Sequence, residues 1–216
     1  MPMATDHTSL LMLLNWMSPT FPIGSFAYSH GLEQAIADGR VSNAEQTEAW
    51  ISGLLQQGSG RNDAVLFAQC WSMPIEELND LALALAGSAE RYMETTHLGR
   101  NFNIASSVWT GKETNDTVMA YPIAAGKACK VMGIDRHHAL IAYLQGFCSA
   151  LVSVAVRLVP LGQTNGLIVL RNLSPLLSST AEKAVHAQLD DLGMCCIAAE
   201  IASMQHETLV TRIFRT

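Results

Sequence analysis

The chain is poor in charge. Asp, Glu, Lys and Arg make up 15% of its 216 residues, against about 25% in an ordinary soluble domain. Its 13 basic and 19 acidic residues leave a net charge of -6, which argues against the concentrated basic face that nucleic-acid binding needs. No Lys or Arg precedes Arg40, so the amino terminus lacks the positive region of a secretory leader. The five cysteines form no C-x-x-C pair. An odd, irregular set fits the reduced thiols of a cytoplasmic protein rather than a disulfide framework. Alternating strands with hairpin turns, an internal repeat and a low-complexity linker are also missing.

What is present is apolar. Hydrophobic residues make up 49% of the chain, and a chain of this length buries roughly 70% of its unfolded surface. A folded core is therefore expected rather than disorder. The longest apolar run, 139–161, carries Gln145, Ser149, Ser153 and Arg157. A charge within a bilayer is costly, so this run reads as a buried core helix and no membrane span is expected. A surface with so few charges is hard to keep monomeric, a first hint that partners cover part of it.

Helical periodicity dominates the pattern. A helix over 44–57 follows the cap residues Ser42 and Asn43 and puts Trp50, Ile51, Leu54 and Leu55 on one face. Further helices are expected over 61–72, 75–86 (after Pro74), 88–109, 122–132, 136–158 and 163–172. An apolar stripe from Leu177 to Leu192 predicts a helix over 175–192 stopped at Gly193, and a last helix covers about 197–209. Residues 110–118 read as a loop. The fold class is all-α: a single domain spanning 1–216, a bundle of about ten helices, with a flexible amino terminus (1–9) and a carboxy-terminal tail (206–216).

Catalytic patterns fail on inspection. Ala27-Tyr28-Ser29-His30-Gly31 approximates a nucleophile elbow, but that motif needs a strand feeding the turn, and Pro19 and Pro22 spoil one here. A serine hydrolase using Ser29 and His30 is the weaker alternative. His206-Glu207 begins a zinc-binding helix motif, yet Val210 stands where its second histidine belongs. Gly126-Lys127 resembles a phosphate loop, but Tyr121 and Ala128 occupy its required Gly and Ser/Thr places. His137-His138 and Met194-Cys195-Cys196 are possible soft-metal ligands. Adjacent residues on a helix diverge, so the plainer reading is a surface helix start and small buried thiols. No catalytic, cofactor or metal residue is assigned.

Three segments are more specific. Residues 22–33 (PIGSFAYSHGLE) combine turn formers with Tyr28, His30 and Glu33, either as a partner surface or as internal hydrogen-bonding groups. In 157–164 (RLVPLGQT) Arg157 closes an apolar helix, where it either faces a partner or complements the helix dipole. The end, TRIFRT, joins Ile and Phe to two Arg, which suits an interface anchor as well as a last turn packed on the chain's own core.

Together these segments resemble the UreF family of urease accessory proteins. The matching stretches are PIGSFAYSHGLE at 22–33, YLQGFCSALVSVAVRLVPLGQT at 143–164 and IASMQHETLVTRIFRT at 201–216. Weaker echoes are the spacing of Glu90, Glu94, Gly99 and Arg100, and Tyr121-Pro122 with Gly126. Gly24-Ser25 stands where the family often has two glycines, Gln205 where it often has arginine, and Ala89 and Tyr92 where arginines are usual.

The resemblance implies an all-α, non-catalytic scaffold in the maturation of urease, a nickel enzyme. It implies partners: UreD (called UreH in some systems), the GTPase UreG, apo-urease and a second copy of the chain. No intrinsic cofactor is implied; nickel is handled transiently by the complex, and a stand-alone nickel carrier is the alternative. By resemblance, Ser203, His206, Glu207 and residues 211–216 should dock on UreD, with Arg212, Phe214 and Arg215 as anchors on a tail that is mobile when free. Pro22, Gly24, Tyr28, Ser29, His30 and Glu33 should form or support a nearby partner surface. Arg157 and Gln163 are candidates for the UreG-facing surface, and His30 or Glu33 for an internal nickel route.

Overall fold

The computed structural model describes residues 7–111 and 117–215. Among them all regular structure is helical, with no strand. The helices are α1 (His7–Trp16), α2 (Leu32–Ala37), α3 (Ala44–Gln57), α4 (Ser59–Gln69), α5 (Ile75–Ala84), α6 (Ala89–Thr110), α7 (Tyr121–Val131), α8 (Arg136–Leu158), α9 (Gly162–His186) and α10 (Ile197–His206). Single 3-10 turns lie at Ser25–Ala27 and Leu189–Asp191.

Side-chain caps start three of the long helices. Asn43 accepts from the Gln46 amide at 2.9 Å, Ser88 from Arg91 at 3.1 Å and Asp135 from His138 at 2.9 Å. Each satisfies a donor that the first helical turn leaves free. The expected all-α domain is what the chain forms.

Several boundaries differ from expectation. Residues 7–9 belong to α1 rather than to a flexible end, and 1–6 lie outside the described residues, as do 112–116 of the expected loop. The expected helices over 163–172 and 175–192 are one helix, α9, with Pro175 inside it. Pro175 removes one amide from the ladder, but it lies on the exposed side, and so does Arg171, whose carbonyl loses its partner. The buried stripe Gly166, Val169, Leu173, Leu177, Ala181 and Ala184 runs unbroken past it. The helix then stops at His186, short of Leu192, because α4 holds the carbonyls beyond it. Gln69 donates to the Ala187 carbonyl at 2.6 Å and Arg61 to that of Asp191.

α8 and α9 form an antiparallel hairpin, and α8 also packs on α2, α3, α4 and α7. α8 is the one helix among the described residues long and apolar enough to cross a membrane, and half of its apolar window is buried in the protein. A string of rings crosses the core. Trp16 meets Phe102 at 5.6 Å, Phe102 meets Tyr121 at 5.7 Å, Tyr121 meets Tyr143 at 5.2 Å and Tyr143 meets Phe67 at 5.1 Å. It ties α1, α6, α7, α8 and α4 together, and each ring contributes about 1.5–3 kcal/mol by burial. All five cysteines are free. Burial pushes the Cys70 and Cys148 thiols up to about 12, so they act as small hydrophobes.

α6 and α7 cross where Gly99 meets the Met119 carbonyl, and a Cβ at residue 99 would collide with that backbone oxygen. Gly99→Ala is expected to lower the unfolding free energy by about 3 kcal/mol or more in denaturant titration. A loss below about 1 kcal/mol would show that the crossing can open.

Candidate functional site

The 22–33 segment enters the core through Phe21 and Ile23, and the Ile23 carbonyl accepts from Asn101 at 3.1 Å. After the 3-10 turn, His30 takes a left-handed backbone (φ 51), rare for a residue with a Cβ. Gly31 follows with φ 74, and a Cβ there would lie 2.9 Å from the Ala199 carbonyl and the Ser203 amide of α10. These two residues turn the chain under α10 and start α2. Ser29 is fully buried, and its hydroxyl accepts from the Glu33 amide at 3.2 Å. It satisfies an amide in the first turn of α2 and does not line the cavity beside it. That arrangement argues against an exposed nucleophile.

Two polar networks meet at this segment. In the first, His30 Nδ1 accepts from Arg91 at 2.9 Å, and its Nε2 lies 2.9 Å from Glu94. Arginine only donates, so the ring proton sits on Nε2 and points at Glu94. Arg91 also holds Glu94 at 2.5 Å and lies 3.8 Å from Asp63, which accepts from the Tyr143 hydroxyl at 3.2 Å. Burial alone would raise the Glu94 carboxyl, but Arg91 and His30 outweigh it and hold it at about 2. Asp63 goes the other way: burial raises it, and the more distant Arg91 only partly offsets that.

This network forms the polar side of a cavity of about 280 Å³ whose other walls include Trp16, Tyr121, Tyr143 and Phe147. Phe26 and Arg157, both exposed, also line it.

The second network lies under the carboxy-terminal tail. His206, fully buried, sits between two carboxylates: Nε2 is 2.9 Å from Glu33 and Nδ1 is 2.8 Å from Glu90. Arg212 reaches the other oxygen of Glu90 at 2.7 Å. Glu33 also accepts the amides of Ile213 at 2.7 Å and Phe214 at 2.9 Å. Ser88 and Ser203 share a hydrogen bond at 2.7 Å, and Glu207 accepts the Ala89 amide at 3.0 Å. Phe214 is 3% exposed, packed in a small second core with Leu32, Ala35, Val154, Val159 and Leu161. The Arg157 guanidinium lies 6.0 Å from its ring centre. The Arg215 amide donates to the Ala27 carbonyl at 2.7 Å. Burial raises the Tyr28 phenol, and a hydrogen bond from Arg215 opposes that.

The structure thus brings Tyr28, Glu33, Ser203, His206, Glu207, Arg212, Phe214 and Arg215 to one end of the molecule, with Arg157 against Phe214. Gln163 is exposed at the start of α9, and Pro22 is exposed on the entry turn with Gly24 half-buried. In the structure the tail through Arg215 is seated on the body, with the Ile213 and Phe214 amides on the buried carboxylate of Glu33; Thr216 lies outside the described residues. Tyr28, Ser29, His30, Glu33, Ser203, His206 and Phe214 are buried, so they support any partner surface from within. Sequence reasoning assigned no role to Asp63, Glu90, Arg91 or Glu94. The signal for three of them was available: Glu90 and Glu94 lie one helical turn apart with Arg91 between. Asp63 carried none.

Among the described residues, no group of three or more His, Cys, Asp or Glu is arranged to hold a metal ion. Comparison with known proteins decides the family. The UreF family model matches residues 41–174. The chain belongs to the UreF family. A urease accessory protein UreF of Allorhizobium ampelinum is 42% identical, covering 100% of both chains. One from Cereibacter sphaeroides is 43% identical over 96% of this chain and 99% of its own. Urease accessory protein UreF 1 of Brucella canis is 41% identical over 100% and 98%. The family model stops short of both networks' outer parts, but the full-length relatives align across the 22–33 turn and the tail of this UreF-family chain.

The pH response follows from the first network. A carboxyl held below its unfolded value stabilises the fold above that value and loses the contribution as pH falls. For Glu94 the loss runs from about 4.5 down to about 2. Asp63, raised by burial, contributes with the opposite sign, regaining stability as pH falls through its raised value to about 3.8. Urea titrations should show a shallower loss between about pH 4.5 and 2 in Glu94→Gln, and no such regain above about pH 3.8 in Asp63→Asn. Equal slopes in all three proteins would contradict the assignment.

Proposed function

We propose that this chain is a non-catalytic accessory subunit in urease maturation. In this reading it binds UreD (UreH), positions the GTPase UreG, works as a two-fold dimer and delivers nickel to apo-urease as cargo of the complex. The names of its full-length relatives support the accessory role. The observation that carries the docking surface is on α10. Ile197 (68% exposed), Ile201 (47%) and Met204 (50%) form an exposed apolar stripe at helical spacing. Val210 and Ile213 beyond it are also open. Apolar side chains flanked by Arg212 and Arg215 suit the anchor-and-rim pattern of a protein interface.

The face that supports a UreG contact is the end of the α8–α9 hairpin, where Arg157 and Gln163 are exposed. In this reading an internal path for nickel runs through the cavity, which has His30, Asp63 and Glu94 on its wall; Glu33 does not line it. Free cysteines suit a cytoplasmic setting.

Ile201→Glu combined with Met204→Glu should weaken co-purification with UreD at least ~10-fold without changing the melting temperature. Undiminished binding would remove α10 from the interface. Deleting residues 206–216 should abolish co-purification, but it also removes His206 from the core, so thermal stability must be measured beside it. Cells lacking the protein should make urease that is poor in nickel; normal nickel content and activity would refute the role.

A further inference from the structure

We propose that the cavity walled by Trp16, Tyr121, Tyr143 and Phe147 is a binding site for a small, neutral, flat aromatic molecule with one hydrogen-bond acceptor, which the Tyr121 hydroxyl recognises. The site occupies the space given above to a nickel path but does not rest on that reading.

Size comes first. A dry apolar cavity of about 150 Å³ is enough to hold benzene. This one measures about 280 Å³, room for two fused rings. Trp16, Tyr121, Tyr143 and Phe147 present rings to it, and rings favour a flat guest through edge and offset-stacked contacts. Their own neighbours hold them in place. Tyr121 lies 5.2 Å from Tyr143 and 5.7 Å from Phe102, and Phe147 lies 4.8 Å from the His30 imidazole. A guest therefore meets a preformed site and has little ordering to impose on it.

Charge comes next. His30, Asp63, Arg91 and Glu94 on the wall are engaged with one another, and the Tyr143 hydroxyl donates to Asp63 at 3.2 Å. That network leaves no charge over for a guest, and an ion lodged among the rings gives up water without gaining a partner. Arg157, also in the lining, is exposed and keeps its hydration. A resting guest in this space is neutral.

Tyr121 supplies the selective contact. Its amide donates to Thr95 Oγ1 at 3.0 Å, which fixes the start of α7 and with it the ring. Its hydroxyl reaches Met17 Sδ at 3.9 Å, and a thioether sulfur is a weak acceptor. Met17 lines the same cavity. Burial raises the Tyr121 phenol, so it stays a donor at neutral pH. A guest acceptor in place of the sulfur exchanges a weak hydrogen bond for an ordinary one.

Quinoline and naphthalene separate shape from recognition. They share a two-ring outline, both are uncharged at neutral pH, and only quinoline carries an acceptor nitrogen. In ligand-observed NMR titrations of the full chain, quinoline should saturate with a Kd at or below ~1 mM. Naphthalene should bind about tenfold more weakly. Tyr121→Phe keeps the ring and removes the hydroxyl. It should bring quinoline down about tenfold to the naphthalene level and leave naphthalene unchanged, a double difference that isolates the hydroxyl. N-methylquinolinium and 2-naphthoate, the charged counterparts, should bind at least ~10-fold more weakly than quinoline. Failure of quinoline to saturate the wild type means that the cavity holds water only, and overturns the site whatever Tyr121→Phe does, including failure to fold. Equal wild-type affinity for quinoline and naphthalene overturns the role of Tyr121, as does a quinoline preference that survives in Tyr121→Phe. A charged ring bound as tightly as quinoline overturns the neutral class. These titrations contain no partner protein, so none of their outcomes strikes the proposed function.

Discussion

A carboxylate removed from water must be met by donors or its burial costs several kcal/mol. α6 turns Glu90 and Glu94 inward, each less than 5% exposed, and the surroundings are built to answer them. Glu94 is met by Arg91 and by His30 from the entry turn. Glu90 is met by His206 from α10 and Arg212 from the tail. Segments distant in sequence thus converge on one helix face because two ions there need partners.

The apolar core and this ionic seam do different work. The ring string and the α8–α9 hairpin supply burial, which favours compactness without choosing among similar packings. The seam chooses. Its bonds have fixed directions, and a partly satisfied network is worse than none. His30 illustrates the cost: its backbone is held in a sparsely populated conformation so that both ring nitrogens face partners. The same turn needs Gly31, since α10 crosses it at backbone contact.

Much of the fold was legible in sequence. The cap at Asn43 and the helical spacing of apolar residues located the long helices, because those signals are local. The expected break between 172 and 175 is absent because the local preference of Pro175 is overridden by a continuous buried stripe. The site was legible in part. The 22–33 turn and the tail were marked as unusual, and the alternative of a tail packed on its own core was open. What could not be read was the pairing. Glu33 with Phe214 and Glu90 with Arg212 are contacts between distant positions, and residue spacing carries no information about them. Asp63, a single acid in an ordinary amphipathic helix, gave no sign of lying beside Arg91.

The interior seam also bears on how the free subunit behaves in bulk solution. Of the 19 acidic residues, Glu33, Glu90 and Glu94 are consumed inside, in a chain that began with few. The outer shell keeps correspondingly little like-sign repulsion, while Leu11, Leu14, Val108 and Ile197 stand open on it. Open apolar side chains on a charge-poor shell are area that association can remove from water, so the charge carried inside also sets how much of the outside is left free for contact.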